Sequence, residues 1–261
     1  MTPEPTADPL PTWGRSFYQP GGGDAILDYV AFGRFAQPIE LSMGAYHTAG
    51  VPDFVDVAYH TRPDDPERFD GYLHGYAADW LRANDASQFS TVRLCEDAIE
   101  ITGRLRDPSS LNYLRDVIGI LAGLMDLKGV AVLDRLALRW WRPAEWKEQV
   151  WKPKTLNVPA LINTVVSRAD GDVGWTVSTR GMRKFGRPDV RLRETPQDQT
   201  RTAVDVVNRM ASMLAQGAIV PNGKIIKTPA IPGDLVCRLD GGEDDPAFQN
   251  AYVDIVYPAA R

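Results

Sequence analysis

The stretch from Asp107 to Leu133 constrains the chain most. Leu111, Leu114, Ile118, Leu121 and Met125 recur at helical spacing, and Tyr113, Val117, Ile120 and Leu124 widen that stripe. A helix apolar over so much of its circumference is expected to be mostly buried. Asp107-Pro108 reads as an N-cap followed by proline at the first helical position, and Gly129 after Lys128 reads as a stop. Val130, Val132 and Leu133 then make a strand.

The residues before this helix carry related punctuation. Phe54, Val55, Val57 and Tyr59 read as a strand, and Pro63 and Pro66 end it and open a helix. Phe69, Tyr72, Leu73, Tyr76, Ala77, Trp80 and Leu81 give that helix one apolar face. Val92 and Leu94, then Ile99, Ile101 and Leu105, alternate with polar residues on either side of Glu96-Asp97, which predicts a hairpin. The resulting β-α-β-β-α-β order is that of a ferredoxin-like unit, and the fold class expected is α+β. Such a unit implies no particular function.

The second half is less regular and is expected to form an α/β half packed on the first. Leu136, Leu138 and Trp140 alternate, and Arg142-Pro143 opens a short helix through Trp146 and Val150. Residues 152–159 read as a connector. Leu161 to Val166 and Trp175 to Val177 flank Asp170-Gly171, a hairpin-turn dipeptide. Val190 and Leu192 suggest a strand, and Pro196 opens a long helix that Gly217 ends. Short strands follow near Leu235–Leu239 and Tyr252–Val256. The expected division is a flexible leader over 1–23, an α+β region over 24–133 and a second over 134–261, with one continuous domain made of both regions as the alternative.

Composition narrows the function classes. The chain has 261 residues, 44% apolar and 24% charged, an ordinary globular mixture. Its net charge of −5 argues against bulk capture of nucleic acid. Cys95 and Cys237 form no disulfide framework or close-spaced zinc motif, and buried free thiols in a reducing cytoplasm are expected. The N-terminus lacks the basic and apolar regions of a secretory signal. The longest apolar run, Val117 to Met125, falls short of the roughly 20 residues needed to span a bilayer. Gly21, Gly22 and Gly23 read as a linker, because a phosphate loop would place lysine after the glycines and Asp24 stands there instead.

Three groups of residues are candidates for function. His60 ends a strand just before Asp64 and Asp65, which suggests a general base or hydrolytic site if the fold brings partners to it. Trp140, Trp141, Trp146 and Trp151 fall within twelve residues. Trp140 and Trp141 point to opposite sides of their strand, so one risks exposure, and exposed tryptophan marks interfaces. Arg180, Arg183, Lys184, Arg187, Arg191 and Arg193 face only Asp189 in charge, a segment excess of five. That segment suggests an anion or nucleotide site or a docking patch. No nucleophile elbow, P-loop or dinucleotide fingerprint occurs, and no cofactor or metal is implied.

The strings VAVLDRLALRWWRPAEW at 130–146 and TRGMRKFGRPDV at 179–190 together resemble an uncharacterised bacterial domain family found in polymorphic-toxin and immunity gene neighbourhoods. The resemblance spans about 120–255. It carries over no catalytic residue and no activity, and the missing catalytic motif, the acidic body and the clustered tryptophans suggest a protein partner, with a toxin encoded nearby as the candidate. The expectation is therefore a cytoplasmic binding protein of immunity type. The alternatives are a hydrolase or transferase using His60, Asp64 and Asp65, and an anion-binding module built on the 180–193 segment.

Overall fold

The computed structural model describes residues 10–168 and 171–258, and its elements make an α+β structure. The chain divides into two compact units. The first takes the described residues up to Gly14, then Leu27–Arg104 and Ser110–Asn157. The second takes Arg15–Ile26, Leu105–Ser109 and the described residues from Val158 onward. The expected division after residue 133 would separate two paired strands, so it gives way to one after Asn157.

The strands of the first unit are β1 (Asp24–Gly33), β2 (Val55–Thr61), β3 (Asp97–Arg106), β4 (Gly129–Asp134) and β5 (Arg139–Trp141). They lie in the order β2-β3-β1-β4-β5. The pairs β2/β3, β1/β4 and β4/β5 are antiparallel. Its helices are α1 (Pro66–Tyr72), α2 (Tyr76–Asn84), α3 (Ala86–Arg93), α4 (Asn112–Asp126) and α5 (Pro143–Glu145), the last running into a π-helical turn at Trp146–Trp151.

Side-chain alternation sends each strand's residues to two faces, and both are covered over β1 and β4, whereas Val57 and Tyr59 of the edge strand β2 are exposed. On one, Val30, Phe32, Ala98, Ala131, Leu133 and Trp140 pack with Phe69, Leu73, Leu81 and Val92 from α1–α3. On the other, Tyr29 and Trp141 meet Trp146 edge-on, and the Trp146 indole N–H donates to the Ile118 carbonyl of α4 at 3.4 Å. The α4 stripe is buried as its period demands. Gly119 and Gly123 let the segment around Tyr46 approach α4 closely, because a Cβ on Gly119 would lie 2.3 Å from the Tyr46 carbonyl.

Three local expectations are corrected. The helix over 69–81 is two helices, broken where Gly75 adopts a φ of +80°. Val92 lies in α3 rather than in a strand: the Asp85 carboxylate accepts the Gln88 N–H and starts a helix there, and the two apolar residues carry too little alternation to compete. The hairpin therefore does not form, and β1 occupies the sheet interior, so the four-strand ferredoxin-like order is replaced by this five-strand one. Asp107 does not cap α4. It has a φ of +32°, α4 begins after Leu111, and the Asp107 carboxylate is engaged in the second unit.

The second unit contains α6 (Val158–Leu161), β6 (Asn163–Ser167), β7 (Trp175–Arg180), β8 (Asp189–Thr195), α7 (Thr200–Ala215), β9 (Ile225–Thr228), β10 (Ile231–Val236), β11 (Arg238–Gly241) and β12 (Ala251–Val256). The main sheet runs β11-β12-β8-β7-β6, with β12 and β8 parallel and the other neighbours antiparallel. β9 and β10 form a separate hairpin. The apolar face of α7, including Ala203, Val207 and Leu214, packs against this sheet. Asp170 of the expected Asp170-Gly171 turn lies outside the described residues.

Two residues of the leader are anchored, Trp13 and Arg15. Trp13 is buried and its N–H donates to Asn112 Oδ1 at 2.8 Å. Arg15 is buried in the second unit and donates to the carbonyls of Pro108 and Phe185 at 2.8 and 2.9 Å. Among the described residues no helix is long and apolar enough to cross a membrane.

Candidate functional site

The tryptophans are core residues rather than an interface. Trp140 and Trp141 do point to opposite faces of β5, but helices cover both, leaving them 5% and 1% exposed. Trp146 is buried between Trp141 and α4. Trp151 is half-buried; its ring stacks on His47 at 5.8 Å and its N–H donates to the Tyr46 carbonyl at 3.1 Å. The four rings thus form no common exposed patch.

His60 meets a carboxylate, but not the expected ones. Its Nε2 lies 3.2 Å from Glu100 Oε2 on the neighbouring strand β3. The same oxygen accepts from Arg68 of α1 at 3.0 Å, and Oε1 accepts the Tyr72 hydroxyl at 2.5 Å. Burial pushes the Glu100 carboxyl up, but the Tyr72 hydrogen bond and the Arg68 and His60 charges outweigh it, and the net direction is down. Asp64 instead accepts the Thr61 hydroxyl, and Asp65 caps α1 through the Arg68 N–H and pairs with the Arg68 guanidinium. A carboxylate on an imidazole nitrogen fixes the tautomer, which is useful to a base. Here the same carboxylate also ties α1 to the sheet.

The basic segment is taken up by partners within the second unit. Arg187 is fully buried; its Nη1 donates to Asp107 Oδ1 and the Gly186 carbonyl, both at 2.9 Å, and its Nη2 to the carbonyls of Gln19 and Gly217, both at 3.0 Å. Lys184 is buried and donates to the Leu161 carbonyl at 2.5 Å. Arg191 and Arg193 share Asp254 at 2.7 and 2.8 Å, and Arg183 pairs with Glu243 at 3.1 Å. Arg180 stands 3.9 Å over the Phe248 ring. The sequence pattern gave no sign of these partners, because they lie as far as 80 residues away.

The triple glycine does cradle an anion, and the anion is internal. The Gly21 and Gly22 N–H groups donate to Asp107 Oδ2 at 2.8 and 3.0 Å. Gly22 must be glycine, since a Cβ there would lie 1.5 Å from Arg187 Nη1. Burial pushes the Asp107 carboxyl up, but the Arg187 hydrogen bond and the two glycine N–H groups outweigh it and hold the carboxyl below its ordinary value.

Asp189 is shifted the opposite way. It is buried at the start of β8 and accepts from Thr179 Oγ1, the Met182 N–H and Asn250 Nδ2 at 2.8, 3.3 and 2.8 Å. Burial outweighs these bonds and the nearby Arg180 charge, and its carboxyl is pushed up to about 6. The folded state therefore binds this proton more tightly than the unfolded chain does. Its stabilisation is complete below the ordinary aspartate value and is lost as pH rises through about 6. The stability of Asp189→Asn relative to the parent is expected to change by roughly 2–3 kcal/mol across that window, measured by urea unfolding from pH 4 to 7. A difference independent of pH would refute the assignment.

A feature that motif reading missed is the outward face of α1–α3. Tyr76 and Trp80 stand one turn apart on α2 and are 54% and 51% exposed. Between Asp53 and Glu100 eleven acidic side chains stand against four arginines, an excess of seven that exceeds the chain's whole net charge. Asp64, Glu67, Asp70, Asp79 and Glu96 are exposed. Counting charge by segment would have found the acids. The two rings fall within the apolar period of 69–81, which predicts one continuous helix with both rings on its buried stripe. No protein-family model matches the chain, and no curated protein or solved structure matches it.

Proposed function

We propose that the chain is a protein-binding module that holds a basic partner against the α1–α3 face, in the manner of an immunity-type inhibitor of a toxin encoded nearby. The observation that carries this reading is the pair of half-exposed rings, Tyr76 and Trp80, set in a strongly acidic segment. Tyrosine and tryptophan dominate the energetics of protein interfaces, and an acidic surround steers a cationic partner toward them. A cytoplasmic setting fits Cys95 and Cys237, which are free and buried, with burial pushing each thiol up to about 11. The hydrolase or transferase alternative draws only on the His60–Glu100 contact, where Glu100 also serves Arg68 and Tyr72. The anion-module alternative has less support, since Arg183, Arg187, Arg191 and Arg193 are each held by an internal acid.

The test is co-expression with the product of the adjacent gene, followed by titration calorimetry. Binding is expected to weaken as salt rises, because the steering charge is exposed. Tyr76→Ser with Trp80→Ser should reduce affinity by at least about tenfold while leaving the melting temperature nearly unchanged. Binding that ignores both substitutions, or no binding at micromolar concentration, overturns the reading.

A further inference from the structure

Among the described residues β2 is the longest edge strand of the two five-stranded sheets. It pairs with β3 along its whole length, Val55–Thr61, and among the described residues no backbone hydrogen bond of Asp56 through His60 goes anywhere else. An edge with open N–H and C=O groups is a template for another strand unless proline, lysine or a covering segment blunts it. β2 contains neither proline nor lysine, and Asp56, Val57 and Tyr59 are exposed.

The two faces of this edge differ. Val57 stands opposite Ile101 and Tyr59 opposite Ile99, both of which are buried. The apolar face of the sheet therefore runs out to the edge and stops there uncovered, with Val57 48% and Tyr59 41% exposed. The Tyr59 hydroxyl donates to Asp97 Oδ1 at 3.0 Å, so the ring is fixed before a partner arrives. On the other face Asp56 and His60 flank Ala58. Asp56 makes no ion pair among the described residues, and His60 uses Nε2 on Glu100 at 3.2 Å, which leaves Nδ1.

The strand is complementary to itself when reversed. About a two-fold axis through Ala58, an antiparallel second copy sets Val57 against Tyr59 and Asp56 against His60, each twice, with alanine on alanine at the centre. Aromatic with β-branched, and acid with base, are cross-strand pairs that stabilise a sheet. An axis through Asp56 would instead oppose two carboxylates. We infer that β2 pairs with β2 of a second copy of this chain in that register, joining two five-stranded sheets into one. An edge-to-edge contact of seven residues is small beside a standard interface, so the dimer is weak. The inference does not use the α1–α3 face, so either can fail alone.

Sedimentation velocity of the full chain, from about 5 to about 500 µM, is expected to show a dimer with a Kd of about 10–100 µM. Val57→Lys should raise that Kd at least about tenfold and leave the melting temperature of the dilute chain nearly unchanged, because the side chain is half-exposed. Oxidised Ala58→Cys should give a disulfide-linked dimer, since facing Cα atoms of an antiparallel pair lie about 5 Å apart. Asp56→Cys should not, because its two copies sit about 13 Å apart in this register. The native thiols are buried and do not compete. Val57→Cys with Tyr59→Cys also opposes cysteines and stands in if Ala58→Cys fails to fold. Tyr76→Ser with Trp80→Ser should leave the dimer intact. A monomer throughout, a dimer indifferent to Val57→Lys, cross-linking of Asp56→Cys as efficient as that of Ala58→Cys or its stand-in, or a dimer lost with Tyr76→Ser and Trp80→Ser overturns the inference.

Discussion

Asp107→Ala is expected to destabilise the protein by about 3–5 kcal/mol, the cost of leaving a buried charge without its counter-ion. The charge left behind is Arg187, whose side chain has no exposed surface and whose carboxylate partner lies 2.9 Å away. Four backbone carbonyl and carboxylate contacts fix that guanidinium, so it has no route to solvent that keeps them. The Gly21 and Gly22 N–H groups lose their acceptor at the same time. Because the Asp107 carboxyl sits below its ordinary value, its contribution is present above about pH 4 and is lost as pH falls below that. Urea unfolding at pH 7 and pH 3 checks both parts. A double variant with Arg187→Met should cost clearly less than the sum of the two single changes, since each single change strands the other's partner. A loss under 1 kcal/mol for Asp107→Ala alone would show that the pair is not the fastening described here.

Trp146→Ala should cost a similar amount, about 3–5 kcal/mol, because it removes a fully buried indole packed between the sheet and α4. The ring is buried, meets Tyr29 and Trp141 edge-on at 6.0 Å each, and donates to the Ile118 carbonyl. Chemical denaturation is the measurement, and Trp146→Phe should recover much of the loss. The same variant separates core from interface. If Trp146→Ala left stability unchanged but weakened partner binding, the burial described for this ring would be wrong. Tyr76→Ser with Trp80→Ser is expected to show the reverse pattern.

The two results bear on how far the chain could be read before its structure. The α4 stripe from Leu111 to Met125 was legible, because helical period is written in neighbouring residues. So was the opposite pointing of Trp140 and Trp141 on a strand. β1 was not, since Tyr29 to Phe32 is buried on both faces and shows no alternation to read. Asp107 carried the signal of a helix cap, and its short distance to proline made that reading natural. A capping aspartate and a charge-pairing aspartate are the same side chain, and only the arrival of Arg187 from 80 positions away separates them.

The amino-acid order by itself determined the helices of α4 and α7, whose apolar period runs on without a break, whereas over 69–81 the same kind of period did not reveal the break at Gly75. The tertiary structure alone decided which charges are neutralised and which are left facing outward: Arg183, Arg187, Arg191 and Arg193 are taken up by Glu243, Asp107 and Asp254, and the rings of Tyr76 and Trp80 stay uncovered. Backbone preference acts over a few residues, whereas a charge or a ring is satisfied by whatever the fold brings within about 4 Å of it.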